Sequence, residues 1–492
     1  MEGYIETNVA GYIPTAIVIF VIYILANIAI GIYGMRKIKN TDSYYTSGHS
    51  MGPWAVAMAF GATCYSATLI IGFGGKAYDV GTSLMWVAAT NIFFMTFLVW
   101  VVLGKRVRKL QEKVGAFTVT EMIVKRYRAE KLRPYLALVV SFSMIAYTVA
   151  VLTGTARLFE VLFHIPFFWA LLIVIFVIGF YVTTGGIVST IYNDFLQGIV
   201  MFFGIALLFI FVYMNTGFVS GYEELGRRLG DVYVTMPGRI NWWGLISSCL
   251  VTSLIPWGMP QIVHYMFIAR DAKAITWAIP IVTIWTFIVV YGIYYVGPMA
   301  QLILGPDMHT DRVIPTLIRT VLPPLGIGIV LSSVAAASMS TMAGTSLQAS
   351  FAISRDLYQK TFNKGMSDAK VLTVSKIVNI TVIVVSAVLA YMRLANIAEI
   401  FMIGAAASCA VFVPILLCGL YWKRGTGQAA VATAILGFLT VLIWSILFGA
   451  EGKGAGGIHS IIPGQIVGWG TFIIVSLKTK PLDEGFLKKI MP

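Results

Sequence analysis

The run from Ile13 to Tyr33 holds no charged side chain and is long enough to cross a bilayer. About 20 apolar residues, rising about 1.5 Å each as a helix, span a hydrocarbon core of about 30 Å. A helix closes its backbone hydrogen bonds within itself, which lipid demands and water does not. Runs of this kind recur along the chain. Candidate spans lie at 11–34, 51–74, 81–104, 132–160, 165–183, 190–215, 243–268, 272–303, 322–352, 370–392, 396–421, 428–448 and 463–477, about thirteen in all. The expected fold is all-α and integral to a lipid bilayer.

Composition agrees. Only 11% of residues are charged and 58% are hydrophobic, against about 25% charged in a typical soluble domain. The net charge of +14 would suggest nucleic acid in a soluble protein. Here its distribution sets orientation instead, and no nucleic-acid partner is expected. Glu2 and Glu6 precede the first run, and Arg36, Lys37 and Lys39 follow it. That is the reverse of a cleavable signal, so the helix is retained with the N-terminus outside. An odd number of crossings puts the C-terminus in the cytoplasm of a cell membrane. The clusters 105–113 and 125–133 and the tail lysines belong inside; Arg227, Arg228, Arg239, Arg312 and Lys453 belong outside. Strict alternation strains parts of this pattern, and broken or re-entrant segments are expected to absorb the mismatch. Cys64, Cys249, Cys409 and Cys418 sit in apolar segments without metal-ligand spacing and read as packing residues. With no nucleophile–base pair, metal cluster or phosphate loop visible, an enzyme is not expected.

Two spans are interrupted. GATCYSATLIIGFGG, Gly61 to Gly75, is small and polar at its middle. SLIPWGMPQ, Ser253 to Gln261, carries Pro256 and Pro260, each of which removes a helix donor. Backbone freed at membrane depth must face protein, ions or a water-lined cavity. Each interrupted span opens a group of five, and an odd group inserts its successor upside down. Matched interruptions in inverted halves mark the binding site of a secondary transporter. A third stretch, SSVAAASMSTMAG from Ser332 to Gly344, replaces bulky apolar residues with small and hydroxyl ones.

Several segments resemble the sodium/solute symporter family. YVTTGGIVSTIYNDFLQGIVM (Tyr181 to Met201), FTVTEMIVKRY (Phe117 to Tyr127), GMPQIVHYMFIARDAKAI (Gly258 to Ile275), SMSTMAGTSLQASFAISRDLY (Ser338 to Tyr358) and FVPILLCGLYWKRGTGQAA (Phe412 to Ala430) follow its motifs in order. The resemblance implies a five-plus-five inverted repeat with one extra N-terminal and two extra C-terminal helices. On that plan 1–50 holds the extra helix, 51–215 the first repeat, 216–242 an external loop, 243–424 the second repeat, and 425–492 the last two helices and tail. It also implies Na⁺ as coupling ion, held by the carbonyls of Ala62, Tyr65 and Ala337 and the hydroxyls of Ser340 and Thr341. Asp194 would lie on the ion's release path. A second sodium site in some members needs further hydroxyls one turn beyond Ser340, where this chain has Ala343 and Gly344; one Na⁺ per solute is expected.

The solute cavity should lie between the two interruptions. Its expected lining is Thr63, Cys64, Ser66 and Ala67 from the first and Trp257, Gly258 and Gln261 from the second. Trp86 and Tyr147 are more distant candidates whose expected role is packing. Members that carry proline hold an Asp where this chain has Cys64, and the sugar carriers use more carboxamides and carboxylates. Small polar groups and free backbone amides suit a small carboxylate or amino acid. Glu121, four residues before Lys125, and Glu399 read as structural. The chain should work as a monomer, with oligomers allowed. Proton coupling through Asp194 is the alternative within transport; a channel or a transporter-like sensor is the alternative outside it.

Overall fold

A computed structural model describes residues 2–38, 40–163, 165–392 and 397–491. Lys39 and the side chains of Glu2, Glu6, Glu399 and Lys453 lie outside the described residues. Among the described residues the chain is helical with no strand. The main helices are α1 (Glu2–Met35), α2 (Pro53–Cys64), α3 (Thr68–Val80), α4 (Thr82–Val114), α5 (Val119–Tyr127), α6 (Arg133–Phe163), α7 (Phe167–Thr216) and α8 (Trp242–Gly258). They continue as α9 (Pro260–Ile268), α10 (Ala272–Leu304), α11 (Pro324–Phe362), α12 (Asp368–Met392), α13 (Ile397–Tyr421), α14 (Gly427–Phe448) and α15 (Ile461–Lys478).

Among the described residues, ten helices are long and apolar enough to cross a membrane, and up to twelve if each of two bent pairs counts as one span. The expected thirteen takes 165–183 and 190–215 as separate spans; here they are the two arms of α7, 50 residues kinked at the middle. Its middle is Gly186, at φ 48° and ψ −145°, a conformation open to glycine and few others. The neighbours show a reversal there. Ideal Cβ atoms on Gly31 and Gly34 would touch Tyr181 and Ser189, yet Gln197 returns to bond Asn27 at 2.7 Å. The chain thus passes α1 twice.

Both expected interruptions are bends. α2 and α3 meet at 56°, α8 and α9 at 48°. The first break holds no proline: Tyr65 is extended (φ −117°, ψ 97°), and the Ser66 hydroxyl accepts the Thr68 amide at 3.3 Å. In the second, Pro260 sits at the first position of α9 and Met259 is extended (φ −93°, ψ 117°), as a residue before proline tends to be. The far ends of the bent pairs are joined: Met51 N–H bonds Ile268 O at 3.3 Å and Arg270 N–H bonds Met51 O at 2.9 Å.

Basic residues gather at that joined end. Arg108 donates to Ala269 O at 2.9 Å, Arg126 to Gly419 O at 2.7 Å and Lys113 to Met491 O at 2.9 Å. Of the expected outer-loop residues, Arg239 pairs with Asp79, at the opposite end of α3 from the first break, at 3.1 Å. The small residues of α11 have a plain structural reason. Every residue from Val330 to Ala352 is buried, with α1, α2, α6, α7 and α12 packed around the helix. Close approach also governs α3, where an ideal Cβ on Gly75 would lie 2.3 Å from the Thr310 carbonyl oxygen. Gly75→Ala should destabilise the protein by about 1–3 kcal/mol, as overpacking does. Thermal unfolding in detergent reads this, and a melting temperature equal to the parent's would show that the short helix beyond α10 yields freely.

Candidate functional site

The break after α2 opens into a cavity of about 50 Å³, lined by Cys64, Tyr65 and Ser66 from the break, Thr252 and Ile255 from α8, and Tyr147, Asn91 and Tyr294 from its neighbours. No charged side chain is among its lining residues. The Tyr147 ring lies 4.5 Å from that of Phe401, another lining residue. Asn91 Oδ1 is buried with no hydrogen-bond partner among the described residues.

The unwound α2 terminus meets α11 beside this cavity. The Ser340 hydroxyl, fully buried, lies 2.8 Å from the Ala62 carbonyl, 2.9 Å from that of Ala336 and 3.3 Å from that of Ala337. The Thr341 hydroxyl lies 3.1 Å from Thr63 O and 3.0 Å from Ala337 O. Six oxygens from two helices thus converge without a carboxylate. Small residues on α11 permit this approach, since hydroxyls can reach a neighbouring backbone only where no bulky chain intervenes. Four of the five expected cation-holding residues, Ala62, Ala337, Ser340 and Thr341, come together here. The fifth, Tyr65, is the first residue past the end of α2, and the carbonyl that Thr341 reaches is that of Thr63. Tyr65 has already left the helix, and its hydroxyl bonds Thr96 at 3.0 Å.

Asp194 lies behind this pair, fully buried. Its Oδ2 accepts from the Tyr265 hydroxyl at 2.6 Å and from Thr63 Oγ1 at 3.3 Å, and those two hydroxyls are 2.6 Å apart. Its Oδ1 has no hydrogen-bond partner among the described residues. A carboxylate at membrane depth is costly by about 3 kcal/mol or more unless partnered, so hydroxyl donors are the least such a group requires. Tyr265 also stands 3.8 Å from an ideal Cβ on Gly344, where Thr63 is 2.9 Å away. Glycine at 344 makes room for this cluster.

The basic end is closed by ion pairs. Glu121 bonds Arg355 at 3.2 Å and Lys125 at 3.0 Å. Asp356 accepts from Thr118 at 3.0 Å and pairs with Arg133 at 3.4 Å. Glu121 and Arg355 are each about 4% exposed, so the pair is desolvated and strongly felt. Burial alone would raise the Glu121 pKa; Arg355 and Lys125 outweigh it and hold the carboxyl below the usual range. The Arg355 guanidinium also lies 4.1 Å from the Phe117 ring centre.

Of the expected solute-lining residues, Cys64 and Ser66 face the cavity, and Ala67 is buried just beyond Ser66. Four are placed elsewhere. Thr63 is one step round the helix from Cys64 and points at Asp194. Trp257 lies about 140° round α8 from Thr252, lines a lateral groove and donates to Phe94 O at 3.0 Å. Gly258 is pressed on α13: an ideal Cβ would lie 2.7 Å from Cys409 Cα. Gln261 follows the bend, and its Nε2 lies 3.5 Å from Met259 Sδ. Trp86 is exposed, whereas Tyr147, expected to be packing, lines the cavity. Sequence reasoning missed Thr252, Asn91, Tyr294 and Tyr265. Only Tyr265 had a signal, as a phenol four residues after Gln261 and so on the same helical face.

With this geometry in place, comparison with known proteins is informative. A profile described as the sodium:solute symporter family matches residues 44–437. The osmoregulated proline transporter of Bacillus subtilis is 26% identical, covering 93% of this chain and 94% of that one. The sodium/proline symporter of Escherichia coli is 27% identical, covering 96% and 95%. In fold, the chain is similar to a Na⁺-coupled sialic acid symporter solved in a substrate-bound outward-open state, with TM-score 0.80, 17% identity, and 95% and 99% coverage.

Proposed function

The chain belongs to the sodium:solute symporter family, and from that premise we propose that its solute is a small amino acid, taken up with one Na⁺ by alternating access. It is a sodium-coupled symporter of a small organic solute and not an enzyme. The observation that carries the proposal is the set of oxygens between α2 and α11 beside a neutral cavity.

In the proposed site, Na⁺ lies among the carbonyls of Ala62, Thr63 and Ala337 and the hydroxyls of Ser340 and Thr341. A hard monovalent cation accepts such a donor set without a carboxylate, and the carbonyl end of α2 favours positive charge. Each hydroxyl has a second acceptor on its own helix, Ala336 O for Ser340 and Ala337 O for Thr341. Turning its proton there frees a lone pair, and releases the α2 carbonyls, for the ion. Sodium then replaces two interhelix hydrogen bonds and fixes the spacing of α2 and α11. The break that carries Ala62 and Thr63 also carries Cys64 and Ser66, so the ion shapes the solute cavity. A neutral cavity beside one cation suits a solute with a carboxylate.

One Na⁺ is favoured because Asp194 is engaged by Tyr265 and Thr63, and Ala343 and Gly344 offer no side-chain oxygen. Asp194 is proposed to receive the ion as it leaves. The basic end is proposed to be cytoplasmic, with the N-terminus outside and the C-terminus inside a cell membrane, following the positive-inside bias. The structure is then outward-facing, its inner end closed by Glu121 and Arg355. The repeats are proposed to run over 51–215 and 243–424, the cavity and ion site being complete within one chain.

Uptake into proteoliposomes tests this. Labelled L-proline, other small amino acids, monocarboxylates and a sugar are offered under sodium and proton gradients imposed separately. The expected result is uptake of an amino acid driven by sodium. Uptake that follows the proton gradient and ignores sodium would overturn the coupling and return Asp194 to proton carriage.

A further inference from the structure

A groove of about 830 Å³ opens between α2, α7 and α10, away from the solute cavity. Each helix gives it one stripe at helical spacing: Trp54 and Met58, Phe195 and Phe202, Trp277 and Ile284. Every lining residue is apolar or aromatic. The floor is fixed. The Trp285 indole donates to Gly198 O at 2.8 Å, and an ideal Cβ on Gly61 would lie 2.7 Å from its ring. In a chain whose solvent is lipid, such a groove holds hydrocarbon. The rim decides which molecule brings it.

One end of the groove meets the joined, basic end of the bent pairs. Trp54 stands in the first turn of α2 and Trp277 in the second turn of α10, and each is 59% exposed. Exposed Trp gathers at the headgroup level of a membrane. Lys273 lies four residues before Trp277, one turn further out on the same face, and is exposed. Its ammonium has no carboxylate partner among the described residues. The neighbouring Asp271 is engaged: it caps the Ala274 amide at 2.6 Å and pairs with Arg270 at 3.2 Å. The rim is therefore net positive. A second copy of the chain fits the groove less well. Helices associate in lipid through small residues that let backbones approach, and no Gly, Ala, Ser or Thr lines this surface.

We propose that the groove binds one anionic phospholipid, with acyl chain between α2, α7 and α10 and phosphate on Lys273. A basic residue above an apolar cleft between membrane helices selects such a headgroup. The two exposed indoles mark the level at which the headgroup sits.

Native mass spectrometry tests the site, with the full chain delipidated in detergent and titrated with palmitoyl-oleoyl phosphatidylglycerol or the matching phosphatidylcholine. One phosphatidylglycerol should bind the parent chain about tenfold or more tighter than phosphatidylcholine, the range of a charge-assisted hydrogen bond. Lys273→Gln should remove that preference, and Trp277→Ala should weaken both lipids. Lys478, exposed at the same end on α15 and outside the groove, serves as the control: Lys478→Gln should keep the preference. Equal affinity of the parent for the two lipids overturns the site. So does a preference lost equally in Lys273→Gln and Lys478→Gln, which would mean unspecific attraction to the basic end, and so does parental affinity in Trp277→Ala. A dimer that forms without lipid and that Trp277→Ala dissociates overturns it in favour of a second copy.

Discussion

Replacing both hydroxyls, Ser340→Ala with Thr341→Ala, should raise the sodium concentration for half-maximal uptake by about 100-fold or more. A hydrogen-bonding oxygen facing a charged partner contributes about 1.5–3 kcal/mol, and about 1.4 kcal/mol is a tenfold change in affinity. Two oxygens together reach that range even if a water replaces one of them in part. The loss should be specific. The side chains are fully buried, but alanine is already frequent on α11 and leaves the helix packed as before. Solute uptake should therefore recover when sodium is raised, which a misfolded protein would not allow. The two single variants should each show part of the shift. Sodium dependence unchanged in the double variant would return both hydroxyls to the role of satisfying the carbonyls of Ala62 and Thr63.

Arg355→Met should open the basic end. The substitution leaves Glu121 buried with Lys125 and the Phe117 amide as its partners, and removing one partner of a buried pair costs about 3–5 kcal/mol. Part of that cost falls on the closed state alone, because opening the end would let water reach Glu121. A cysteine placed at Phe117, under the guanidinium in the parent, should then react with a membrane-impermeant thiol reagent applied from that side at least tenfold faster. Uptake should fall, since the inner end no longer holds shut while the outer is open. Adding Glu121→Gln to Arg355→Met should restore much of the slow labelling, as it removes the stranded charge. The depressed Glu121 pKa sets the pH window. Its contribution is present above the unfolded value of about 4.3 and is lost only as pH falls through the lower folded value, so closure should be unaffected across neutral pH. Labelling of Arg355→Met at the parent's rate would show that the helices, not the ion pair, close this end.

Much of the plan was legible because the solvent is lipid. Each apolar run of sufficient length had to be a helix, and freed backbone in the middle of one had to face something polar. Both bends therefore lie where Ser66 and Pro260 stand in the sequence. The spans expected at 165–183 and 190–215 are the two arms of α7, and the reversal at Gly186 is so tight that no loop separates them. The lining of the site was only partly legible. Cys64 and Ser66 face the cavity, but Thr63, in the last turn of α2, turns to Asp194, because one residue changes the helix face by about 100°. Trp257 and Gln261 were expected to line the cavity, yet Trp257 lies on the face of α8 turned to a lateral groove, and Gln261, beyond the bend at Met259, packs toward Gly344.

The sequence by itself determined an all-helical membrane protein, the positions of its two broken helices, the stretch of small hydroxyl residues and the gathering of basic charge. These follow from local chemistry: hydrophobic length, proline geometry and the cost of charge in lipid. Tertiary structure alone decided that Thr341 reaches the Thr63 carbonyl, that Tyr265 bonds one oxygen of Asp194, and that Arg355 reaches Glu121. Each of these joins residues far apart in the chain. Such contacts depend on how bent helices pack against one another, and no local pattern encodes the angle at which they meet.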